Sequence, residues 1–157
     1  IDKYGWVDVG SSFLPSDIIA AFLFAQLENL DKIQAKRKTI WNSYYEKLKP
    51  LSDKNYFKLL ELNDSQTNNG HLFALIMNNI EERTALIDFM RNEDIMPVFH
   101  YLSLHKSQFY INKHDGRELD NCDMFADNLV RMPLYFDINE FDVRQITNVI
   151  NAFFNEQ

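Results

Sequence analysis

The sequence of 157 residues has little of what marks several common classes of protein. Its one cysteine, Cys122, permits no internal disulfide, which is typical of a protein in a reducing cytoplasm. A formal net charge of −7 argues against a nucleic-acid binder, because phosphate contacts require a surplus of lysine and arginine. The most apolar stretch, Ile18 to Leu27, is too short to cross a bilayer, so we expect no membrane anchor.

Several motifs that indicate a nucleotide or metal site are also missing. The sequence contains no Walker loop, no G-x-G-x-x-G, no C-x-x-C and no H-E-x-x-H. Among its four histidines, His100 and His105 are close in sequence, but their spacing matches no standard ligand motif. We therefore expect no metal site.

The pattern of apolar residues predicts one long helix, residues 17–48, near the start of the chain. Ser16 is its expected N-cap, and core-type side chains recur every three or four residues as far as Leu48. Pro50 is expected to end the helix. Ile18 to Leu27 is apolar on every side, which indicates burial all round, whereas the rest of the helix is amphipathic. Such a helix should join two bodies, and the second body is not obvious in this chain.

After this helix the sequence predicts a small α/β domain, in which helices pack on a sheet. The second predicted strand is apolar throughout and should be central. Pro97 places the third either at an edge or at an irregularity of the sheet. Residues 100–118 form a long loop that carries three histidines, and loops of this length are usually functional or disordered. The expected strands are 56–62, 71–77 and 95–99, and the expected helices are 79–91, 119–130 and a last one capped by Asn139.

Two local features each allow two interpretations. The turn Gly10-Ser11-Ser12 leads towards a helix N-terminus, which either binds an anion through free N–H groups or is an ordinary cap. His71 begins an apolar strand and is either a hydrogen-bonded structural histidine or part of a site.

Three segments in order along the chain carry a recognisable pattern. They are Lys3-Tyr4-x-Trp6-x-Asp8-x-Gly10-Ser11-Ser12 followed by Pro15-Ser16-Asp17, then Val98-Phe99-His100-Tyr101-x-x-Leu104-His105, and finally Met132-Pro133-Leu134-Tyr135. Together these segments resemble the DegT/DnrJ/EryC1/StrS family of sugar aminotransferases.

The resemblance implies the C-terminal part of a fold type I aminotransferase that uses pyridoxal phosphate (PLP). Residues 1–16 would lead in from a large PLP-binding domain, and residues 17–48 would be the interdomain helix. Residues 49–157 would form the small domain, with a mostly antiparallel sheet. The cofactor lysine belongs to none of the matched segments, so we expect no catalytic residue in this chain and no activity of the chain alone.

The same resemblance implies a site and a reaction. Ser11 and Ser12 would approach the PLP phosphate of the neighbouring subunit in a homodimer. Tyr101 and His105 match a loop that lines the sugar-nucleotide pocket, and His71 is a further candidate for substrate contact. The implied reaction transfers an amino group from L-glutamate to the C4 ketone of dTDP-4-oxo-6-deoxy-D-glucose. Its product would serve bacterial surface polysaccharides, including lipopolysaccharide and enterobacterial common antigen, and the enzyme would be cytoplasmic.

Two other interpretations remain open. The chain is compatible with a stand-alone, non-catalytic α/β ligand-binding module. It is also compatible with an interaction domain that pairs through the apolar surface of Ile18 to Leu27. The coding sequence upstream of Ile1 distinguishes these possibilities, because an enzyme requires a cofactor lysine there.

Overall fold

The structure, a computed structural model, describes residues 5–155. Residues 1–4 of the predicted lead-in and residues 156–157 of the predicted small domain lie outside the described part. None of the helices within residues 5–155 combines the length and apolar character needed to cross a membrane. The elements in chain order are α1 (Asp17–Leu27), α2 (Leu30–Asp53), β1 (Phe57–Leu59), β2 (Phe73–Met77), α3 (Ile80–Asn92), β3 (Val98–Phe99), a short 3-10 helix (Leu104–Lys106), α4 (Asp120–Asn128), β4 (Leu129–Met132) and α5 (Glu140–Asn155).

The four strands form one antiparallel sheet in the order β1-β2-β4-β3. The α/β class and the mostly antiparallel sheet are therefore confirmed. All five residues of β2 are buried, as expected of a central strand, and β3 lies at the edge, one of the two positions expected from Pro97. β4 was not predicted as a strand, because residues 129 and 130 were assigned to the preceding helix. Its pairing with both β2 and β3 makes it central to the sheet.

The hydrophobic core lies between one face of the sheet and the helices α2, α3 and α5. Side chains alternate along each strand, so every second residue contributes to this core. Α5 supplies the predicted stripe, although Val149 is only partly buried. The strand residues in the core are Phe57, Leu59, Phe73, Leu75, Met77, Val130 and Met132.

Two of the predicted helix caps are formed by asparagine side chains. Asn79 Oδ1 accepts a hydrogen bond from the backbone N–H of Glu82 at 2.8 Å, which starts α3. Asn139 Oδ1 accepts from the N–H of Phe141 at 2.8 Å and from that of Asp142, which starts α5. Each cap satisfies N–H groups that have no partner within the helix, so both predicted starts are confirmed.

The predicted single helix of residues 17–48 is instead two helices. Ser16 caps α1 as expected, but the helix ends at Leu27, and Asn29 has the non-helical angles φ −106° and ψ 15°. The side chain of Asn29 donates to the carbonyl oxygen of Ala25 at 3.0 Å, in competition with a continuous helix. The expected stop at Pro50 was also wrong, because α2 continues to Asp53 with Leu51 buried in the core.

No residue of α1 is buried within the described part of the chain. Phe22 is 72% exposed and Phe24 is 64% exposed, so the expected burial of this helix is not provided by residues 5–155. A helix that is apolar all round is normally covered on every side. The helix α1 thus presents an apolar surface, made of Ile18, Ile19, Phe22, Leu23, Phe24 and Leu27.

Candidate functional site

The edge strand β3 brings His100 next to Arg131 of β4. Val98 of β3 is opposite Arg131 in the antiparallel register, and His100 follows the strand by one residue. One terminal guanidinium nitrogen of Arg131 lies 2.7 Å from His100 Nδ1. Arginine can only donate, so Nδ1 accepts and the hydrogen of a neutral ring lies on Nε2.

The surroundings of His100 favour its neutral form. Burial lowers the pKa of the imidazole, and the positive charge of Arg131 and the nearby His71 lower it further. The ring of Tyr101 lies against that of His100, with 3.7 Å between the centroids, and the peptide bond that joins the two residues is cis. Tyr101 is partly exposed, with 43% of the residue accessible to solvent. The group formed by His100, Arg131 and Tyr101 therefore places a neutral imidazole and a phenol near the end of the sheet.

His71 lies near the same group and is fastened to α2 through its backbone. The Arg37 guanidinium donates to the carbonyl oxygens of Gly70, at 3.0 Å, and of His71. The N–H of His71 donates to Asn69 Oδ1 at 2.9 Å. His71 is exposed, and its side chain is close enough to lower the pKa of His100. Two of the three predicted substrate-binding residues, His71 and Tyr101, therefore both lie close to His100.

His105 is held in the loop that follows this group. Its Nε2 lies 3.2 Å from Asp123 Oδ1, and only 12% of its side chain is exposed. Asp123 also accepts from Ser103 Oγ at 2.7 Å and from Lys106 Nζ at 2.8 Å. The hydrogen bonds from Lys106 and Ser103 lower the pKa of this carboxyl, so it remains ionised well into the acidic range.

Ser11 and Ser12 lie apart from these elements in the sequence, in the segment that leads to α1. Both are exposed, and neither hydroxyl has a hydrogen-bond partner within residues 5–155. An ideal Cβ built on Gly10 would meet nothing within 4 Å, so the turn is open to solvent. The two hydroxyls are free to donate to a ligand. Within residues 5–155, neither serine forms a hydrogen bond with any of the other predicted site residues, Tyr101, His105 and His71.

A cleft of about 650 Å³ opens between residues 5–7, α3, the loop and α4. Leu102 and Lys106 of the loop line this cleft together with Trp6. The carbonyl oxygen of Trp6 accepts from the N–H of Phe109 at 3.1 Å, which fastens the leading segment to the loop. Arg83 of α3 also lines this cleft, and burial lowers the pKa of its guanidinium group.

Residues 5–155 contain no group of three or more histidine, cysteine, aspartate or glutamate side chains that could hold a metal ion.

The sequence did not indicate the two partners that organise these histidines. Arg131 contacts a histidine 31 positions earlier, and Asp123 contacts one 18 positions earlier. Neither pair matches a local spacing, and Arg131 belongs to the strand that was missed. Their roles follow from the sheet register and from the docking of the loop on α4.

The fold is that of the corresponding part of solved aminotransferases. The structure matches Helicobacter pylori PseC, an aminotransferase involved in the biosynthesis of pseudoaminic acid, with a TM-score of 0.80 and 20% identity over 96% of this chain. It matches a DegT DnrJ EryC1 StrS aminotransferase from Brucella abortus with a TM-score of 0.70 and 25% identity over 85% of this chain. The PLP form of Spr1654 from Streptococcus pneumoniae matches with a TM-score of 0.76 and 20% identity over 90% of this chain.

The chain belongs to the DegT/DnrJ/EryC1/StrS aminotransferase family, whose model matches residues 2–151. It spans a limited part of its structural relatives, namely 40% of PseC, 34% of the Brucella protein and 36% of Spr1654.

Proposed function

We propose that this chain is the small-domain part of a PLP-dependent sugar aminotransferase. The enzyme transfers an amino group from L-glutamate to the C4 ketone of dTDP-4-oxo-6-deoxy-D-glucose. The family match over residues 2–151 is the observation that supports this most strongly. The Gly10-Ser11-Ser12 start and the Val98-Phe99-His100-Tyr101 loop resemble those of dTDP-4-amino-4,6-dideoxygalactose transaminase, a member of this family.

The residues present fit a phosphate of the cofactor at the segment before α1. Ser11 and Ser12 have exposed hydroxyls that can donate, and they precede a helix whose N-terminus favours an anion. PLP, when bound, would serve as the electron sink and would carry the amino group from one substrate to the other. In the proposed homodimer both serines approach the phosphate in the opposite subunit, which makes each site a shared one.

The substrate side of the site is proposed at the end of the sheet and in the loop. Tyr101 and His71 are exposed enough to contact a ligand, and His100 is kept neutral beside them. His105, in the same loop, directs Nε2 at Asp123. We place its other ring nitrogen, Nδ1, against the sugar nucleotide. These groups bind and orient the substrate, whereas proton transfer belongs to the cofactor lysine elsewhere in the polypeptide.

The proposal is tested by assaying the full-length protein with PLP, L-glutamate and dTDP-4-oxo-6-deoxy-D-glucose. Mass spectrometry should detect an amino sugar nucleotide, and 2-oxoglutarate should form in equal amount. A matched reaction without L-glutamate gives the background. Tight binding of a nucleotide sugar without any amino transfer would favour the non-catalytic ligand-binding module.

A further inference from the structure

Asp123 is contacted by three side chains from a stretch of four residues. Ser103 Oγ and His105 Nε2 both approach Oδ1, at 2.7 and 3.2 Å, and Lys106 Nζ approaches Oδ2 at 2.8 Å. Asp123 lies in the first turn of α4, whereas the donors lie in and just before the short 3-10 helix. One carboxylate therefore fastens this part of the loop to α4.

The His105 ring is held from two sides. Its Nε2 faces Asp123, and its ring packs against that of His114, with 5.2 Å between the centroids. Only 12% of the side chain is exposed, so the ring has little room to turn. A carboxylate oxygen repels a ring nitrogen that carries a lone pair, so the contact favours the neutral tautomer with its hydrogen on Nε2, in which Nδ1 is an acceptor.

We propose that Asp123 is a positioning residue for sugar recognition, which fixes His105 so that Nδ1 accepts a hydrogen bond from a sugar hydroxyl. This inference rests on the proposed function, which places His105 in the sugar-nucleotide pocket. A hydroxyl can donate to Nδ1, whereas the ionised diphosphate of the same substrate offers only acceptors. The arrangement thus assigns His105 to the sugar and not to the phosphates.

The first experiment measures the state of the ring directly. The full-length protein is labelled with ¹⁵N-histidine, and the nitrogen resonances of His105 are assigned by comparison with His105→Asn at pH 8. We expect the hydrogen on Nε2 in the unsubstituted protein and a mixture of the two tautomers in Asp123→Ala. A hydrogen on Nδ1 in the unsubstituted protein would overturn the inference.

The second experiment separates positioning from a merely structural role. Asp123→Ala should raise KM for the sugar nucleotide about tenfold, the effect of losing one well-placed hydrogen bond, and should change the glutamate half-reaction less than about twofold. Asp123→Asn keeps the size of the side chain and one acceptor oxygen, so it is less prone to misfold. Its KM should lie between that of the unsubstituted enzyme and that of Asp123→Ala. Asp120→Ala removes an exposed carboxylate from the same helix turn and serves as the matched control.

A third comparison tests which ring nitrogen the substrate uses. The amide of His105→Asn lies near the position of Nδ1, and that of His105→Gln lies near Nε2, so the Asn variant should retain the lower KM. Equal losses in both half-reactions for Asp123→Ala would show a structural role and overturn the inference. If the unsubstituted enzyme aminates no sugar nucleotide, the proposed function fails and the sugar role fails with it. The nitrogen spectra would still show whether Asp123 holds the ring.

Discussion

The hydroxyl of Tyr44 donates a hydrogen bond to the carbonyl oxygen of Pro133, 2.9 Å away, and so joins α2 to the segment after β4. Tyr44 has no exposed surface, and its ring stacks on Phe73 with 5.0 Å between the centroids. Burial raises the pKa of the phenol above its ordinary value of about 10, so the hydroxyl is protonated and donates at neutral pH. This contact holds the start of the segment between β4 and α5 against the core.

Tyr44→Phe should lower the free energy of unfolding by about 1–2 kcal/mol, because the partly buried carbonyl of Pro133 loses its donor while the ring packing remains. Urea denaturation of the chain measures the change. Tyr45→Phe is the matched control, because that ring stacks on Trp41 and its hydroxyl has no hydrogen bond within residues 5–155. A change for Tyr45→Phe as large as that for Tyr44→Phe would contradict this account.

Gly70→Ala should destabilise the chain more than Gly116→Ala. Both glycines have positive φ, +60° and +81°, which costs an alanine roughly 1–2 kcal/mol. A Cβ at Gly70 would also lie 2.9 Å from the backbone carbonyl carbon of Arg37, whereas Gly116 faces open space. The difference between the two variants in urea denaturation measures the close approach of this turn to α2, and equal effects would show that the turn can move away.

The pKa of His100 should lie below the ordinary value of about 6.5 and should rise in Arg131→Met. Loss of the positive charge removes one cause of the depression, but burial, the largest cause, remains, so the pKa should stay below the ordinary value. NMR titration of the histidine ring protons measures both. Arg117→Met, which removes an exposed arginine paired with Asp115, should leave the pKa of His100 unchanged.

The same depression determines how His100 affects stability with pH. Its pKa is lower in the folded chain than in the unfolded chain, so between these two values the unfolded chain binds more protons. The free energy of unfolding should therefore fall as the pH falls below the ordinary histidine value. The decrease between pH 7.5 and pH 5 should be smaller in His100→Gln, and an unchanged decrease would assign it to other groups.

His105→Ala in the full-length enzyme should raise KM for the sugar nucleotide more than it slows the glutamate half-reaction. A hydrogen bond between neutral groups is worth about 1–1.5 kcal/mol, so KM should rise roughly five- to tenfold. Stopped-flow spectra of the two half-reactions separate the effects. Asn112→Ala, an exposed position in the same loop, is the control, and an equal loss in the glutamate half-reaction would place His105 beside the cofactor instead.

The chain of 157 residues alone should be folded in its core but should self-associate through α1. The apolar side chains of this helix are exposed together, and such a patch drives association in water. Sedimentation velocity should detect species larger than a monomer, and the double variant Phe22→Asp, Phe24→Asp should shift them towards the monomer. Phe141→Asp changes an exposed phenylalanine outside α1 and should have no such effect. A clean monomer for the unsubstituted chain would contradict the prediction.

Local chemistry determined most of the elements. The caps at Asn79 and Asn139 were evident because their partners lie within three residues. The central strand was evident because a strand buried on both faces must be apolar throughout. The missing N–H of Pro97 indicated an edge or an irregularity, and β3 lies at the edge.

The tertiary structure alone decided the remaining features, because each depends on partners that are distant in sequence. Leu129 to Met132 forms a strand because β2 and β3 pair with it on either side. The helix α2 continues past Pro50, which has no N–H to donate within the helix, because the burial of Leu51 outweighs the loss of that hydrogen bond. His100 contacts Arg131 because of the sheet register, and His105 contacts Asp123 because the loop docks on α4. No spacing along the chain encodes such contacts, so the sequence located the histidines but not the groups that orient them.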